Sequence, residues 1–542
     1  MTGNAARARA TIVMTARERH SLAEAAIDSV LAESGGPCRL LYLDVQSPPW
    51  LREALDARAT AGEIEVVRFD EPLWPQEARR RTLPRIETEY VIYIDNDVQV
   101  EAGWLDALVR CADETGAAIV GPLYLIGDGV GRATVHMAGG VLTRGTGAAG
   151  ATLAEAHRLA DADPRAVERS LERTRCDFVE FHCMLARTEV LRAGDLPDDT
   201  LRSVHEHIDL ALAVQARGHA VWFEPAARVT YLGRAEYMLD DLPFFRARWT
   251  AAAAEADIAA FCRRWGVADE PASFDGVRTF VRQHVAEVDP LRPGAHASRL
   301  DAPMAGAELA QTRSALLDLA AAHGHSDDEL TLLSNAYHLA QLLMDGGYRP
   351  CGRPFVAHLA GTAATLVRYG FRADIAAAGL LHAAYTHSPP HAGGGEAALA
   401  MVCAALGGRG APLERRVRAY TLSETGLAGN ALAPAATLTV GEAEIVAIEA
   451  ANEVDMHLAG EFRYSGRDDG LSEAAVARIG EVCTLLGVPG LHATLVAART
   501  SHAGVPGRLL TRQPVSYRIS PDRQGAARMA VNAVTPLAHG RV

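Results

Sequence analysis

Five short apolar runs lie between residues 10 and 125: ATIVMTA (10–16), RLLYLDV (39–45), IEVVRF (64–69), YVIYID (90–95) and AAIVGPLYL (117–125). Each has strand length, and a nearly unbroken apolar run suits a strand buried on both faces. The segments between them have helix length, which predicts an α/β fold with a mostly parallel sheet and crossover helices. Residues 127–160, rich in Gly and Ala, follow neither period and are expected to be loop or flap. The alternation resumes with DFVEFHCMLARTEVL (177–191), a helix near 203–217 and AVWFEP (220–225), and 236–287 reads as helical.

The pattern then changes. VDPLRPGAHASRLDAPMAG (288–306) has three prolines and few aliphatic residues, so a linker is expected over 286–310. From 311 to 505 apolar positions recur at helical spacing, as in AELAQTRSALLDLAAAHG, FVAHLAGTAATLVRYG and EAAVARIGEVCTLLG, without convincing strands. This predicts a second, all-helical domain after a first domain over 1–285. Residues 506–542 have mixed composition and read as a tail.

At 542 residues the chain is too long for one ordinary core. A formal net charge of -14 argues against non-specific nucleic-acid binding, which needs a basic surface to neutralise phosphates. All 53 basic residues are arginine, which removes P-loop and Schiff-base chemistry, since both need an amine. Eight cysteines without close pairs or zinc-type spacing suit reduced thiols. No run approaches a membrane span and the N-terminus lacks a signal-peptide pattern, so a cytoplasmic protein without a membrane span is expected.

The chemistry-bearing stretch is YVIYIDND (90–97). Ligands of open α/β sheets collect outside the carboxyl ends of strands, and Asp95, Asn96 and Asp97 stand at such an end. Two carboxylates one residue apart can present oxygens to Mg2+ or Mn2+ that also holds a diphosphate. The same residues can equally turn the chain and cap the helix beginning near Ala102.

In order, ATIVMTARERH, the strand ending YLDVQSP, and EARRRTLPRIETEYVIYIDND resemble the family-2 glycosyltransferases of GT-A (Rossmann-like) fold over about 250 residues. VHMAGGVLTRG (135–145) is also similar to a His-x-Ala-Gly-Gly stretch of bacterial members. The resemblance implies that Thr15 and Glu18 lie against the nucleoside, Asp44 against the base, Arg79 near the diphosphate and Asp95 near the ribose, with Asp97 ligating the metal. Read alone, Glu18 is a solvated helix start, Asp44 a turn residue and Arg79 to Arg81 a charged helix face.

The family's second signature, commonly Glu-Asp-x-Asp-Leu at a helix start, corresponds to VHEHIDLAL (204–212). It yields Glu206, His207 and Asp209 as catalytic candidates, with His207 where the usual base Asp stands. Inverting sugar transfer needs a base for the acceptor hydroxyl, and either the Glu206 carboxylate or a neutral His207 imidazole suits. Ser203 and Glu206 also have capping-box spacing. Where many members carry a metal-completing His, this chain has Tyr231, with His182 or His207 as substitutes. Glu180 and His182 are further candidates for an acceptor pocket.

YRPCGRPFVAHLAGTAATLVRYGFRADIAAAGLLHAAYTH (348–387) resembles the start of an HD domain of stringent-response nucleotide hydrolases. His358 and His382 match its two histidines. Ala383 stands where the family has Asp, Thr386 and His387 where it has Glu-Asp, and Asn452 aligns with the last Asp ligand. His387, His391 and His457 offer a softer replacement set.

These readings imply an inverting glycosyltransferase of hexosyltransferase type. It would use Mn2+ or Mg2+ and a nucleotide-diphosphate sugar, with UDP as leaving group, and act on a hydroxyl acceptor. A degenerate HD-like domain would bind, position or form homo-oligomers. Two alternatives stay open: a metal-dependent nucleotide phosphohydrolase with a GT-A-like nucleotide sensor, and a non-catalytic nucleotide-binding protein.

Overall fold

A computed structural model of the chain describes residues 8–36, 38–129, 133–193, 201–202, 204–293, 300–304, 309–387, 404, 406, 408, 410–423, 434–462, 470–501, 516–519 and 534–536. The chain forms two compact units, Met1–Glu287 and Val288–Val542.

The first unit is built on one large sheet. Its strands are β1 (Ala10–Thr15), β2 (Arg39–Val45), β3 (Glu65–Phe69), β4 (Tyr90–Asp95), β5 (Val98–Val100), β6 (Ile119–Ile126), β7 (Thr134–Met137), β10 (Thr174–Cys176), β11 (Cys183–Arg187) and β12 (Val221–Tyr231), while β8 (Gly140–Thr146) and β9 (Ala151–His157) form a separate hairpin. The order across the sheet is β10-β12-β6-β11-β4-β1-β2-β3, with β5 paired to β12 and β7 to β6. The five apolar runs are strands as expected. β1 and β4 are buried at every residue, which is why both read as unbroken apolar runs.

Two expectations need correction. The sheet is mixed, not mostly parallel: β11 runs antiparallel to both β4 and β6, and β12 antiparallel to β10 and β5. Strand direction depends on the connection, and the apolar composition of a strand does not encode it. Residues 134–157 are not loop but strand β7 and the β8–β9 hairpin. Most of β8 faces solvent, so it shows no apolar face to read. The two glycines of HMAGG permit close packing here. Gly139 has φ +78°, and a Cβ on Gly140 would sit 2.3 Å from the Phe178 ring.

Helices α1 (Ala23–Glu33), α2 (Pro49–Thr60), α3 (Pro75–Thr82) and α4 (Trp104–Thr115) follow strands as crossovers, and α5 (Glu206–Ala216), α6 (Ala251–Trp265) and α7 (Pro271–Val288) come later. The N-cap of α5 is His205 at φ 63°, without a side-chain cap; Ser203 lies outside the described residues.

The second unit is mainly helical, with α8 (Asp327–Leu343), α9 (Phe355–Arg368), α10 (Ala373–Leu381), α11 (Val440–Leu458), α12 (Glu473–Leu485) and α13 (Pro489–Thr500). Every side chain of α9 except Val356 and Arg368 is buried. It is not wholly helical, because β13 (Gly347–Tyr348), β14 (Tyr517–Ile519) and β15 (Val534–Pro536) pair antiparallel. The expected tail supplies two of these strands. A two-residue strand leaves no period, and its partner lies far along the chain. Among the described residues no helix is long and apolar enough to cross a membrane.

Candidate functional site

Three strand ends meet at Asp95. Thr15 of β1 stands beside it in the sheet register, and antiparallel β11 starts opposite it, so that the Asp95 N–H donates to the His182 carbonyl at 3.3 Å. Arg17 Nη1 donates to Asp95 Oδ2 at 2.6 Å, Arg79 Nη2 to Oδ1 at 3.0 Å, and His182 Nδ1 lies 3.0 Å from Oδ2. Burial pushes this carboxyl up, but Arg17, the His182 hydrogen bond and Arg79 together outweigh it and hold it well below the usual carboxylate range.

Asn96 does the local fastening. Its Oδ1 accepts from the Arg17 N–H at 3.2 Å, and its Nδ2 donates to the Glu18 and Arg19 carbonyls at 3.3 and 3.4 Å. The loop after β1 is thereby pinned to the end of β4, with Arg19 at φ 59°. Arg19 Nη1 donates to Asp97 Oδ2 and to the Tyr231 hydroxyl, both at 3.1 Å, and Nη2 to the Gly233 carbonyl at 2.8 Å. Tyr231 therefore stands next to Asp97 with its hydroxyl engaged by Arg19, and its ring stacks on His182 at 3.9 Å.

Asp97 Oδ1 is buried and has no hydrogen-bond partner, whereas both Asp95 oxygens are occupied. Asp95, Asp97 and His182 offer atoms within 4.8 Å of one another. The set fits one divalent ion on Asp97: an orphaned buried carboxylate oxygen is the donor a hard cation takes.

A cavity of about 500 Å3 adjoins these residues, and Asp97, Glu18, Glu180, His182, Glu206 and His207 all line it. Glu206 opens α5 and is 6% exposed, and its Oε2 has no partner. Asp257 accepts from the Arg202 and Val204 N–H groups, which fixes the approach to this turn. Burial lowers His207 to about 4, so its imidazole is neutral near pH 7.

The other sequence candidates divide. Glu18 lines the cavity and is held by Arg248 at 2.6 Å and Trp249 Nε1 at 3.1 Å; burial raises its carboxyl. Thr15 is fully buried at the end of β1. Arg79 is buried with its guanidinium 4.0 Å from the Phe181 ring centroid. Asp44 accepts from Arg68 at 2.6 Å and the Ser47 N–H at 2.9 Å. Asp209 points elsewhere: it accepts from Trp265 Nε1 at 2.8 Å and pairs with Arg264 at 3.0 Å.

Asn96 and His136 lie in stretches singled out from the sequence but without a role, and Arg17, Arg19 and His157 were not site candidates. The Arg-Glu-Arg after β1 and the Asn between two acids were the available signals; the two histidines join the site only through the β7 and β9 pairings.

In the second unit, Asp455 and not Asn452 faces His358. Its Oδ2 lies 2.6 Å from His358 Nδ1 and also pairs with Arg353. Burial pushes Asp455 up to about 7 against the pull of Arg353. Three residues separate Asn452 from Asp455, close to one helical turn. His382 Nδ1 lies 2.7 Å from the Gly379 carbonyl. His391 lies outside the described residues.

Residues 11–191 match the family model described as Glycosyl transferase family 2, so this segment is a glycosyltransferase family 2 domain. No curated protein matches the chain. Among solved structures, the crystal structure of GalNAc-T7 with UDP, GalNAc and Mn2+ is similar in part, at 17% identity and a TM-score of 0.34. That similarity covers 41% of this chain and 42% of the other.

Proposed function

We propose that the first unit is an inverting glycosyltransferase that moves a sugar from a nucleotide-diphosphate sugar, UDP being the nucleotide to test first, to a hydroxyl acceptor. One observation carries this reading: Asp97, with its orphaned oxygen, and Glu206, with another, line a single cavity, and Asp97 falls in the segment that matches glycosyltransferase family 2. Asp97 would hold a divalent ion, Mn2+ or Mg2+, whose charge stabilises a departing diphosphate. Arg17 and Arg19, fastened beside it by Asn96, add fixed positive charge near the same leaving group. Thr15, Glu18, Asp44, Arg79 and Asp95 are assigned to the nucleotide side, Asp44 through the Arg68 and Ser47 contacts that fix its carboxylate.

Glu206 is the proposed base. It takes the acceptor hydroxyl proton while that oxygen attacks the anomeric carbon, and the bond from that carbon to the diphosphate breaks on the opposite face. His207 is the alternative base, since burial keeps its imidazole neutral near pH 7. Asp209 is removed from the role by its Trp265 and Arg264 contacts. Calorimetry with UDP, GDP and TDP, each with and without Mn2+, tests the reading. The expected result is Mn2+-dependent binding of UDP that Asp97→Ala abolishes; binding of none of the three would sink the transferase assignment.

For the second unit we propose an HD-like fold that binds or assembles without hydrolysing. His358, His382 and Asp455 would fill three of the family's four ligand positions, but Arg353 already neutralises Asp455 and Ala383 supplies no carboxylate. The full chain is expected to release no phosphate from nucleotide mono-, di-, tri- or tetraphosphates. Release abolished by His382→Ala would reverse this.

A further inference from the structure

In the same cavity, three histidines converge on one carboxylate. β7 carries His136, the end of β9 carries His157, and Glu180 and His182 lead into β11. Backbone bonds between Ala138, Gly139 and Arg158 clamp the end of β9 beside β7, which brings the two histidines together. Glu180 Oε2 lies 2.9 Å from His136 Nε2 and 3.4 Å from His182 Nε2, and Oε1 lies 3.4 Å from His157 Nε2. None of these side chains is more than 23% exposed.

The set has the geometry of a metal site: one ligand atom each from His136, Glu180 and His182 lie within 4.8 Å of one another. His182 is aimed from behind, since Asp95 lies 3.0 Å from its Nδ1 and leaves Nε2 toward Glu180.

We propose that this cluster binds a first-row transition-metal ion, Zn2+ or a close relative, through His136, Glu180 and His182, with His157 beside it. Ligand atoms about 2.1 Å from one ion stand roughly 3.0 to 3.4 Å from each other, the separations found around Glu180. Two imidazoles with one carboxylate suit zinc, cobalt or iron and are too nitrogen-rich for Mg2+. Asp95 becomes the outer carboxylate that fixes the orientation of a ligand histidine. The site is separate from the oxygen site at Asp97. His182 serves the first through Nε2, and its Nδ1–H, given to Asp95, withdraws it from the second.

The test uses the full chain, stripped with a chelator and titrated with Co2+ or Zn2+ in the absence of any nucleotide or sugar. Its outcome is therefore independent of whether the transferase reading holds. One equivalent is expected to bind, with Co2+ ligand-field bands in the visible and a raised thermal unfolding temperature. His136→Gln and Glu180→Gln should each weaken binding by at least a hundredfold, while Asp97→Ala leaves it unchanged. If a variant fails to fold, the spectrum and the unfolding shift of the unmodified chain still decide. Absence of both at saturating Co2+ means that protons alone bridge the cluster, and overturns the proposal. Binding lost in Asp97→Ala but kept in His136→Gln overturns it as well.

Discussion

Glu206 and Asn96 show two ways in which one residue serves this site. Glu206 is buried with an unpartnered oxygen at the start of α5, where the helix N-terminus favours a negative charge. If it takes the acceptor proton, Glu206→Gln should lower turnover roughly a hundredfold or more with donor affinity nearly unchanged. His207→Ala should cost much less, and the reverse ranking in steady-state kinetics would move the base to the histidine. Asn96 acts through its hydrogen bonds: it accepts one N–H and donates to two carbonyls of the loop that carries Arg17 and Arg19. Asn96→Ala should cost about 2 kcal/mol of stability and weaken UDP binding. Asn96→Asp should be at least as harmful, because a carboxylate cannot donate to the Glu18 and Arg19 carbonyls. Chemical denaturation and calorimetry on both variants check the order.

Among the elements, α9 and α11 pack together at a glycine. A Cβ on Gly361 would meet Asp455 Oδ1 at 1.7 Å, and Asp455 is itself fixed by His358 and Arg353. Gly361→Ala should therefore destabilise the second unit by about 2 kcal/mol or more, despite the better helix propensity of alanine. A thermal transition unchanged from the parent chain would show that the helices can separate without penalty. In the first unit the decisive elements are β4 and β11. Their antiparallel register joins His182 to Asp95, and a single-residue slip would turn the whole set of β11 side chains to the other face.

At the scale of the molecule, the first unit carries a strong pH dependence. Burial lowers His20, His205, His207 and His284 to about 4 from an ordinary 6.5. Between those values the unfolded chain binds more protons than the folded one, so stability is full above about 6.5 and is lost as pH falls toward 4. Glu180 and Asp95, held low by neighbouring cationic groups despite burial, act in the same direction at lower pH. Asp241 and Glu155 oppose them: burial raises both to about 7, so their share of stability is lost as pH rises. With four lowered histidines against these two carboxylates, the unfolding temperature should still drop by a few degrees between pH 7 and pH 5. His20→Gln should flatten that profile, and an unfolding temperature that rises on acidification would contradict the account.

The five apolar runs were legible as strands because burial on both sheet faces leaves a composition signal within each run. The family 2 resemblance and the Asp-Asn-Asp stretch were legible for a related reason: a strand end and its turn are local in sequence, so their order survives without coordinates. Asp455 was missed by about one helical turn, since only packing of α11 on α9 tells which of two polar residues faces His358. Strand direction in β11, the β8–β9 hairpin and the small sheet of the second unit were hidden, because pairing partners lie far apart and leave no period in either strand. The ring of His136, His157, Glu180 and His182 belongs to the same class. Each histidine alone reads as an ordinary side chain, and only the sheet register brings their nitrogens to one carboxylate. The sequence by itself determined which segments are buried and which acids end a strand, through local hydrophobic and turn chemistry. Tertiary structure decided which charges face each other, because Coulomb and coordination energies depend on distance in space and not on separation along the chain.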